Sequence, residues 1–276
     1  MKEEEMLCCV LAELGDIQGW NALDMGSGPC SMAVCLANKI GDGRVFAVDL
    51  FTGIMNNLRT ALTWDRFLRT VVIKADLRRL DFLKDDFVDL ITAYDTLSVI
   101  DQYTPGGTPH VLNEARRVLK PGGWFIALDH EPVESIEPLD KAEEVEVRWW
   151  KIHMDVEKAL KEPSGTEYTA TELMETLREA GFEISHWRRT ERGEMGEGMK
   201  FGTKIRERAN RITDENLRKT ILDEMKKVEE DGATYGMQEF PRYAIYAKNS
   251  LTPPKILKPL PLRALFQTVR HRDLLL

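Results

Sequence analysis

No stretch of the chain approaches the roughly 18 uninterrupted apolar residues that a membrane span requires, which excludes a helical membrane protein. Basic residues are in deficit: Lys plus Arg number 38 against 46 Asp plus Glu, a net charge of −8. That balance argues against a protein that grips a long phosphate backbone. Cysteine is scarce. Cys8, Cys9, Cys30 and Cys35 form no CxxC pair, and the adjacent Cys8 and Cys9 are poorly placed for a mutual disulfide. Neither a metal site nor a disulfide framework is expected, and the thiols read as buried. The N-terminus, Met1-Lys2-Glu3-Glu4-Glu5, is acidic on balance where a signal or transit peptide would be basic; this points to the cytoplasm. What is present is ordinary: 43% hydrophobic and 30% charged residues in 276 suffice for a sizeable core and rule out a disordered or fibrous chain.

From Trp20 onward, short β-branched or apolar runs alternate with amphipathic stretches. The runs are Ala22–Met25, Arg44–Asp49, Val71–Ala75, Phe87–Ala93 and Trp124–Asp129; between them Ser31–Ile40, Ile54–Leu68 and Thr108–Leu119 carry apolar residues at helical spacing. Such alternation predicts βαβ units and a parallel sheet with helices on both faces. Gly41 and Gly43 should close the first of these helices, and Pro121-Gly122-Gly123 the one before Trp124.

After Asp129 the rhythm changes to a long charged helix over 138–161. A helix at Thr171–Ala180, a strand at Phe182–Trp187, a Gly-punctuated loop at 193–202, a helix from Thr203 to Asp231 and a last strand at Tyr243–Ala247 follow. This divides the chain into an N-terminal helix (1–19), a core (20–130), a helical insert (131–170), a core continuation (171–192), a helical cap insert (193–238), the last strand (239–249) and a Pro-rich basic tail (250–276). In the tail Lys255, Lys258, Arg263, Arg270 and Arg272 suit an anionic partner, a membrane surface or the acidic domain itself.

The sharpest local signal is Leu23-Asp24-Met25-Gly26-Ser27-Gly28-Pro29-Cys30-Ser31, a strand entering a small-residue turn and then a helix. Small residues let a ligand approach the backbone, and a helix start offers unpaired N–H groups. Asp49, at the end of the next strand, lies 21 residues after Gly28, where a carboxylate can accept both hydroxyls of an adenosine ribose. Two nucleoside ligands compete, a dinucleotide and S-adenosylmethionine. Ser31 stands where the dinucleotide fingerprint wants Gly, and Asp24 would repel a pyrophosphate while suiting the cationic methionyl end of S-adenosylmethionine. Asp76, after the third strand, can meet an adenine amino group.

These segments together resemble a class I S-adenosylmethionine-dependent methyltransferase of the small-molecule type, including the ubiquinone/menaquinone C-methyltransferase group. The resemblance covers roughly residues 20–130 and rests on LDMGSG, VFAVDL, IKADLRRLDF, FVDLITAYDTL and EARRVLKPGG in order. It implies a doubly wound, Rossmann-like α/β fold with a mostly parallel seven-stranded sheet, here with α-helical cap insertions. It implies that Asp24, Gly26, Ser27 and Gly28 line the methionyl end, that Asp49 holds the ribose, and that Leu50, Asp76 and Leu77 surround the adenine. Tyr94 and Asp95 would face the sulfonium and the acceptor. Cys30 departs from the family, which often has Gly there.

On the acceptor side, His130 and Asp95 are the candidate catalytic bases at the C-terminal edge of the sheet. His110, His153, His186 and His271 read as structural or surface residues. Trp149, Trp150, Met199, Phe201 and Tyr235, with Met195 and Met237, are candidate walls of a substrate pocket; the same residues would equally pack insert against core or form a homodimer face. The run that lets amino-methylating nucleic-acid enzymes stack their base (Asp/Asn-Pro-Pro-Tyr/Phe) is missing after the fourth strand, as is the Pro-Cys of cytosine methylation. A nucleic-acid substrate is therefore not expected. The function expected is methylation of a small, amphipathic acceptor at C, N, O or S. Methylation of a protein side chain, or a non-catalytic S-adenosylmethionine-binding module with the space beside Tyr94 filled, stay as alternatives.

Overall fold

The computed structural model describes residues 2–50, 54–196, 198 and 200–250. Met199, expected as a substrate-pocket wall, and the basic-tail residues named above, like His271, lie outside them. The chain opens with α1 (Glu3–Ala12) and continues as β1 (Asn21–Met25), α2 (Ser31–Lys39), β2 (Arg44–Asp49), α3 (Ile54–Ala61), α4 (Trp64–Leu68), β3 (Thr70–Lys74), β4 (Val88–Tyr94), α5 (Leu97–Tyr103), α6 (Thr108–Val118) and β5 (Leu119–His130). There follow α7 (Lys141–Leu160), α8 (Ala170–Glu179), β6 (Phe182–Arg189), the two-residue β7 (Met195–Gly196), α9 (Thr203–Asn210), α10 (Glu215–Tyr235), the two-residue β8 (Met237–Gln238) and β9 (Arg242–Asn249).

Seven strands form one sheet in the order β3-β2-β1-β4-β5-β9-β6. All pairings from β3 to β5 are parallel, whereas β9 runs antiparallel between β5 and β6. The central strands read as near-continuous apolar runs because helices bury both faces. One face packs Leu23, Val48, Ile91 and Phe125 against α6 and α8; the other packs Ala22, Ala47, Leu90 and Tyr246 against α1 and α2. The strand order reverses between β1 and β4, so a crevice opens at their C-terminal ends.

Three local expectations need correction. Pro121-Gly122-Gly123 does not close a helix: α6 ends at Val118, and the tripeptide lies inside β5, with Gly122 at φ +75°. There the register against β4 slips between Val88 and Leu90, a bulge that the glycine's left-handed backbone makes feasible. The amphipathic stretch Ile54–Leu68 is two helices, α3 and α4, with Thr63 in extended conformation as the N-cap of the second. Thr203–Asp231 likewise divides, because the Asp214 side chain accepts from Leu217 N–H and starts α10 afresh.

The inserts meet in a separate apolar cluster. Val145, Ile152 and Val156 of α7 pack with Phe201, Ile205 of α9, and Ile221, Met225 and Val228 of α10. Arg148 of α7 clamps α10 through Glu224 at 2.7 Å and Asp231 at 2.6 Å. The charged residues of α9 and α10 thus occupy only one side of these helices, the other being buried in this cluster. Val133, Val147 and Phe240 join cap to core.

Candidate cofactor and acceptor site

A cavity of about 440 Å³ opens at the C-terminal ends of β1, β2 and β4. Its floor is the turn after β1. Gly26 and Ser27 N–H both donate to the Val48 carbonyl, at 2.8 and 3.1 Å, which folds the turn back onto β2. Gly26 sits at φ +68°, and a Cβ there would come within 2.5 Å of Thr96 Oγ1, so only glycine fits between the turn and the start of α5. Gly28 N–H donates to Asp49 Oδ2 at 2.9 Å, tying the turn to the end of β2. Cys30, the N-cap of α2, is held at φ +74°, the left-handed conformation that glycine adopts freely and other residues at a cost of about 1–2 kcal/mol. The family's frequent glycine at this place has that physical reason. Cys30 is buried, and its Sγ donates to the Gly28 carbonyl at 3.6 Å.

Asp24 is the most unusual group in the cavity wall. It is 1% exposed; Oδ1 accepts from Thr92 Oγ1 at 2.9 Å, while Oδ2 has no hydrogen-bond partner. Burial, opposed by hydrogen bonds from Ser27 and Thr92 and reinforced by the charge of Asp49, pushes its pKa up to about 7. A buried acceptor without a donor calls for a ligand donor, and an ammonium group supplies both proton and charge. The cavity therefore fits the methionyl end of S-adenosylmethionine.

Asp49, Leu50, Asp76 and Leu77 line the same cavity on the β2 and β3 side. Asp76 is not a free carboxylate. Arg78 hydrogen-bonds both its oxygens through the guanidinium, and Oδ1 also accepts the Arg78 backbone N–H at 2.9 Å. Burial raises its pKa, but the Arg78 hydrogen bonds and charge outweigh that and hold it below the usual carboxylate range.

Tyr94 and Asp95 line the cavity at the end of β4. Burial pushes the Tyr94 phenol well above its ordinary pKa. Asp95 takes φ +45°, and its carboxylate meets a residue that the sequence reading missed: Arg242, at the start of β9, donates from Nη2 at 3.0 Å and Nε at 3.4 Å. The same guanidinium lies 5.3 Å from the Tyr94 ring centroid and reaches Glu239 at 3.5 Å. Burial alone would lower the Arg242 pKa, but Asp95, Tyr94 and Glu239 raise it, so it stays charged. Arg242 and Asp95 are 147 residues apart, and no local pattern announces the pair. Glu3 of α1 was also missed. It lines the cavity, accepts from Ser31 Oγ at 3.0 Å and interacts with Tyr94.

Other expected residues lie elsewhere. His130 is not in the cavity wall: it is 8% exposed, its Nδ1 lies 2.9 Å from the Glu131 carbonyl, and its ring packs against Trp150 and Phe240. The closing helix α7 seals it, which withdraws it as a base in contact with a ligand there. Trp149, Trp150, Phe201 and Tyr235 do not line the cavity either. Trp149 stacks on Phe201 at 5.9 Å inside the cap, Trp150 donates Nε1–H to Glu146 at 2.8 Å, and Tyr235 is 48% exposed. Trp149 and Phe201 join the inserts to each other, and Trp150 packs beside Val147 and Phe240. Met237 is buried in the cap and Met195 is exposed. Among the described residues no group of three or more His, Cys, Asp or Glu side chains is arranged to hold a metal ion, and no helix is long and apolar enough to cross a membrane.

Comparison with known proteins agrees with this geometry. Residues 23–127 match the family model of the methyltransferase domain. No curated protein sequence matches the chain significantly. Among solved structures, a SAM-dependent methyltransferase from Aquifex aeolicus is similar over 90% of this chain and 89% of its own, with 18% identity and a TM-score of 0.51. The YcgJ protein from Bacillus subtilis is similar over 90% of this chain and 100% of its own, at 12% identity and a TM-score of 0.56. Geranyl diphosphate C-methyltransferase from Streptomyces coelicolor A3(2), solved with Mg2+, geranyl diphosphate and S-adenosyl-L-homocysteine, is similar over 90% and 79%, at 12% identity and 0.54. These likenesses establish the seven-stranded Rossmann-like fold. The domain match makes residues 23–127 a methyltransferase domain, on the fold of the class I S-adenosylmethionine-dependent methyltransferases.

Proposed function

We propose that this enzyme transfers the methyl group to a small molecule taken into the cavity beside Tyr94. The observation that carries this reading is the extent of the cavity, which runs from Asp49 and Asp76 to Asp95, Glu239 and Arg242 and is bordered by Glu3 of α1 and Tyr103 of α5. A volume of about 440 Å³ lies in the usual range for small-molecule sites. Tyr94 and Asp95 line that cavity, which supports this reading over a non-catalytic module with the space beside Tyr94 filled.

S-adenosylmethionine supplies a methyl group on a positively charged sulfur. Asp24 Oδ2 would take its ammonium, and the Gly26–Gly28 turn would lie along its methionyl portion. Asp49, already tied to the turn by Gly28 N–H, would accept from the ribose hydroxyls. Leu50 and Leu77 would flank the adenine, with Asp76 at its edge. Tyr94 and Asp95 would face the acceptor, so that alignment and exclusion of water are the protein's main work.

Calorimetric titration with S-adenosylhomocysteine, with NADH as control, tests the cofactor half. Micromolar binding of the former alone is expected, and Asp49→Ala should weaken it by about 1–3 kcal/mol. Unchanged affinity in that variant would remove the ribose contact, and no binding by the wild type would overturn the reading. An acceptor screen with labelled methyl donor then tests the small-molecule half.

A further inference from the structure

The charge of the cavity is lopsided beyond what the methyl donor can balance. Its wall holds the carboxylates of Glu3, Asp24, Asp49, Asp76, Asp95 and Glu239 and the guanidinium groups of Arg78 and Arg242. Both guanidinium groups are committed: Arg78 to Asp76, and Arg242 to Asp95 and Glu239 with its face toward Tyr94. An anion entering beside Tyr94 would have to break the half-buried Arg242–Asp95 pair and would meet Glu3 and Glu239 as well. A cation meets the reverse situation. The donor, with one net positive charge, leaves a surplus of negative charge on the β4 and β9 side.

From this we infer that the acceptor is a protonated amine, and that Glu239 is the residue that selects it. The inference rests on the methyltransferase reading of the same cavity. Glu239 is suited to the role by place and exposure. It stands three residues before Arg242, it is 49% exposed at the side chain, and Arg242 holds it only at 3.5 Å, so it can turn to a ligand. Tyr103, in the opposite wall and 41% exposed, offers an aromatic surface for the methylene or methyl groups around a cationic nitrogen. The chemistry balances without another reagent. The ammonium gives one proton to the Glu239 carboxylate and becomes a neutral amine. The nitrogen lone pair forms the N–CH3 bond while the C–S bond breaks, its electron pair staying on sulfur. The products are a protonated N-methylamine and S-adenosylhomocysteine, and Glu239 returns its proton to solvent.

Three ligands with one ring and different charge test the inference. With S-adenosylhomocysteine saturating, the intact protein is titrated calorimetrically with benzylamine, benzyl alcohol and benzoate. Benzylamine should bind at least about tenfold more tightly than benzoate, with benzyl alcohol between. Glu239→Gln should cost benzylamine about fivefold in affinity and leave S-adenosylhomocysteine within twofold of wild type. Benzoate binding as well as benzylamine, no charge preference, or an unaffected benzylamine affinity in the variant would each overturn it. Failure of the underlying reading shows separately, as failure of S-adenosylhomocysteine to bind before any amine is added.

Discussion

Asp24 is held between folding and binding. Its pKa of about 7 in the folded protein against 3.8 for an unperturbed carboxyl means that the folded state binds the extra proton between those values. Stability contributed by the neutral form is fully present below about pH 4 and is lost as pH rises through 7, by an amount on the order of 4 kcal/mol. Asp24→Asn removes the ionisation while keeping an acceptor for Thr92 Oγ1. It should raise the melting temperature at pH 8 by about 3–8 °C, with the advantage gone near pH 4. The same variant should lose S-adenosylhomocysteine affinity at least about tenfold, because the ammonium loses its carboxylate. In the wild type that affinity should strengthen from pH 6 to pH 8, as Asp24 ionises. Thermal melts across pH together with calorimetry check all three. Asp24, Asp49 and Asp76 were legible because each lies at or just after the end of one of three successive parallel strands, so chain-local spacing brought them to one edge. Arg242, Glu239 and Glu3 were not, because only the closed sheet and the docked N-terminal helix bring them to Tyr94. His130 was misread for the converse reason: strand-end position puts a residue near the edge but does not tell which helix will cover it.

Helix α1 is the element whose role the sequence hid. Its ten residues begin with three glutamates, which suit the positive N-terminal end of a helix, and its lower face, Met6, Leu7, Val10 and Leu11, is buried against the sheet and α2. The hydroxyl of Tyr246 in β9 donates to the Val10 carbonyl at 2.9 Å, an anchor from the far side of the sheet order. That docking carries Glu3 to the cavity wall. Leu7→Ala should cost about 2–4 kcal/mol of stability by opening a hole under the helix. Glu3→Gln on the exposed end should leave stability within about 0.5 kcal/mol. Denaturant titration of the two variants separates packing from charge. A loss of stability in Glu3→Gln like that in Leu7→Ala would show that Glu3 anchors the helix rather than serving the cavity. Strands were the legible elements, since two faces of helices demand apolar runs that nothing else explains. The short α5 was not foreseen: seven residues with no acidic first turn and no side-chain cap leave little periodicity to read.

At the scale of the molecule, the sheet carries one apolar cluster on each face, the cap holds a third, and Val133, Val147 and Phe240 form a small fourth. The sequence marks the helices of both inserts but does not tell that Trp149 of one stacks on Phe201 of the other. Periodicity marks an apolar face without naming the face it meets. Nor could it show β9 turning antiparallel between β5 and β6, the step that sets Arg242 beside His130 in register and next to Asp95. If the cap is chiefly a body packed on the sheet, damage within it should stay within it. Met225 is fully buried at the centre of the cap cluster, among residues of α7, α9 and α10, and has no part in the cavity wall. Met225→Ala should destabilise the cap by about 2–4 kcal/mol and speed amide exchange in 203–235. S-adenosylhomocysteine affinity should stay within about twofold, and exchange in β1, β2 and β4 should be unchanged. Hydrogen exchange with and without the ligand measures both. Should the variant instead lose the ligand in step with its cap protection, cap and cavity form one cooperative unit, and Trp149 and Phe201 act on the site through the packing they share.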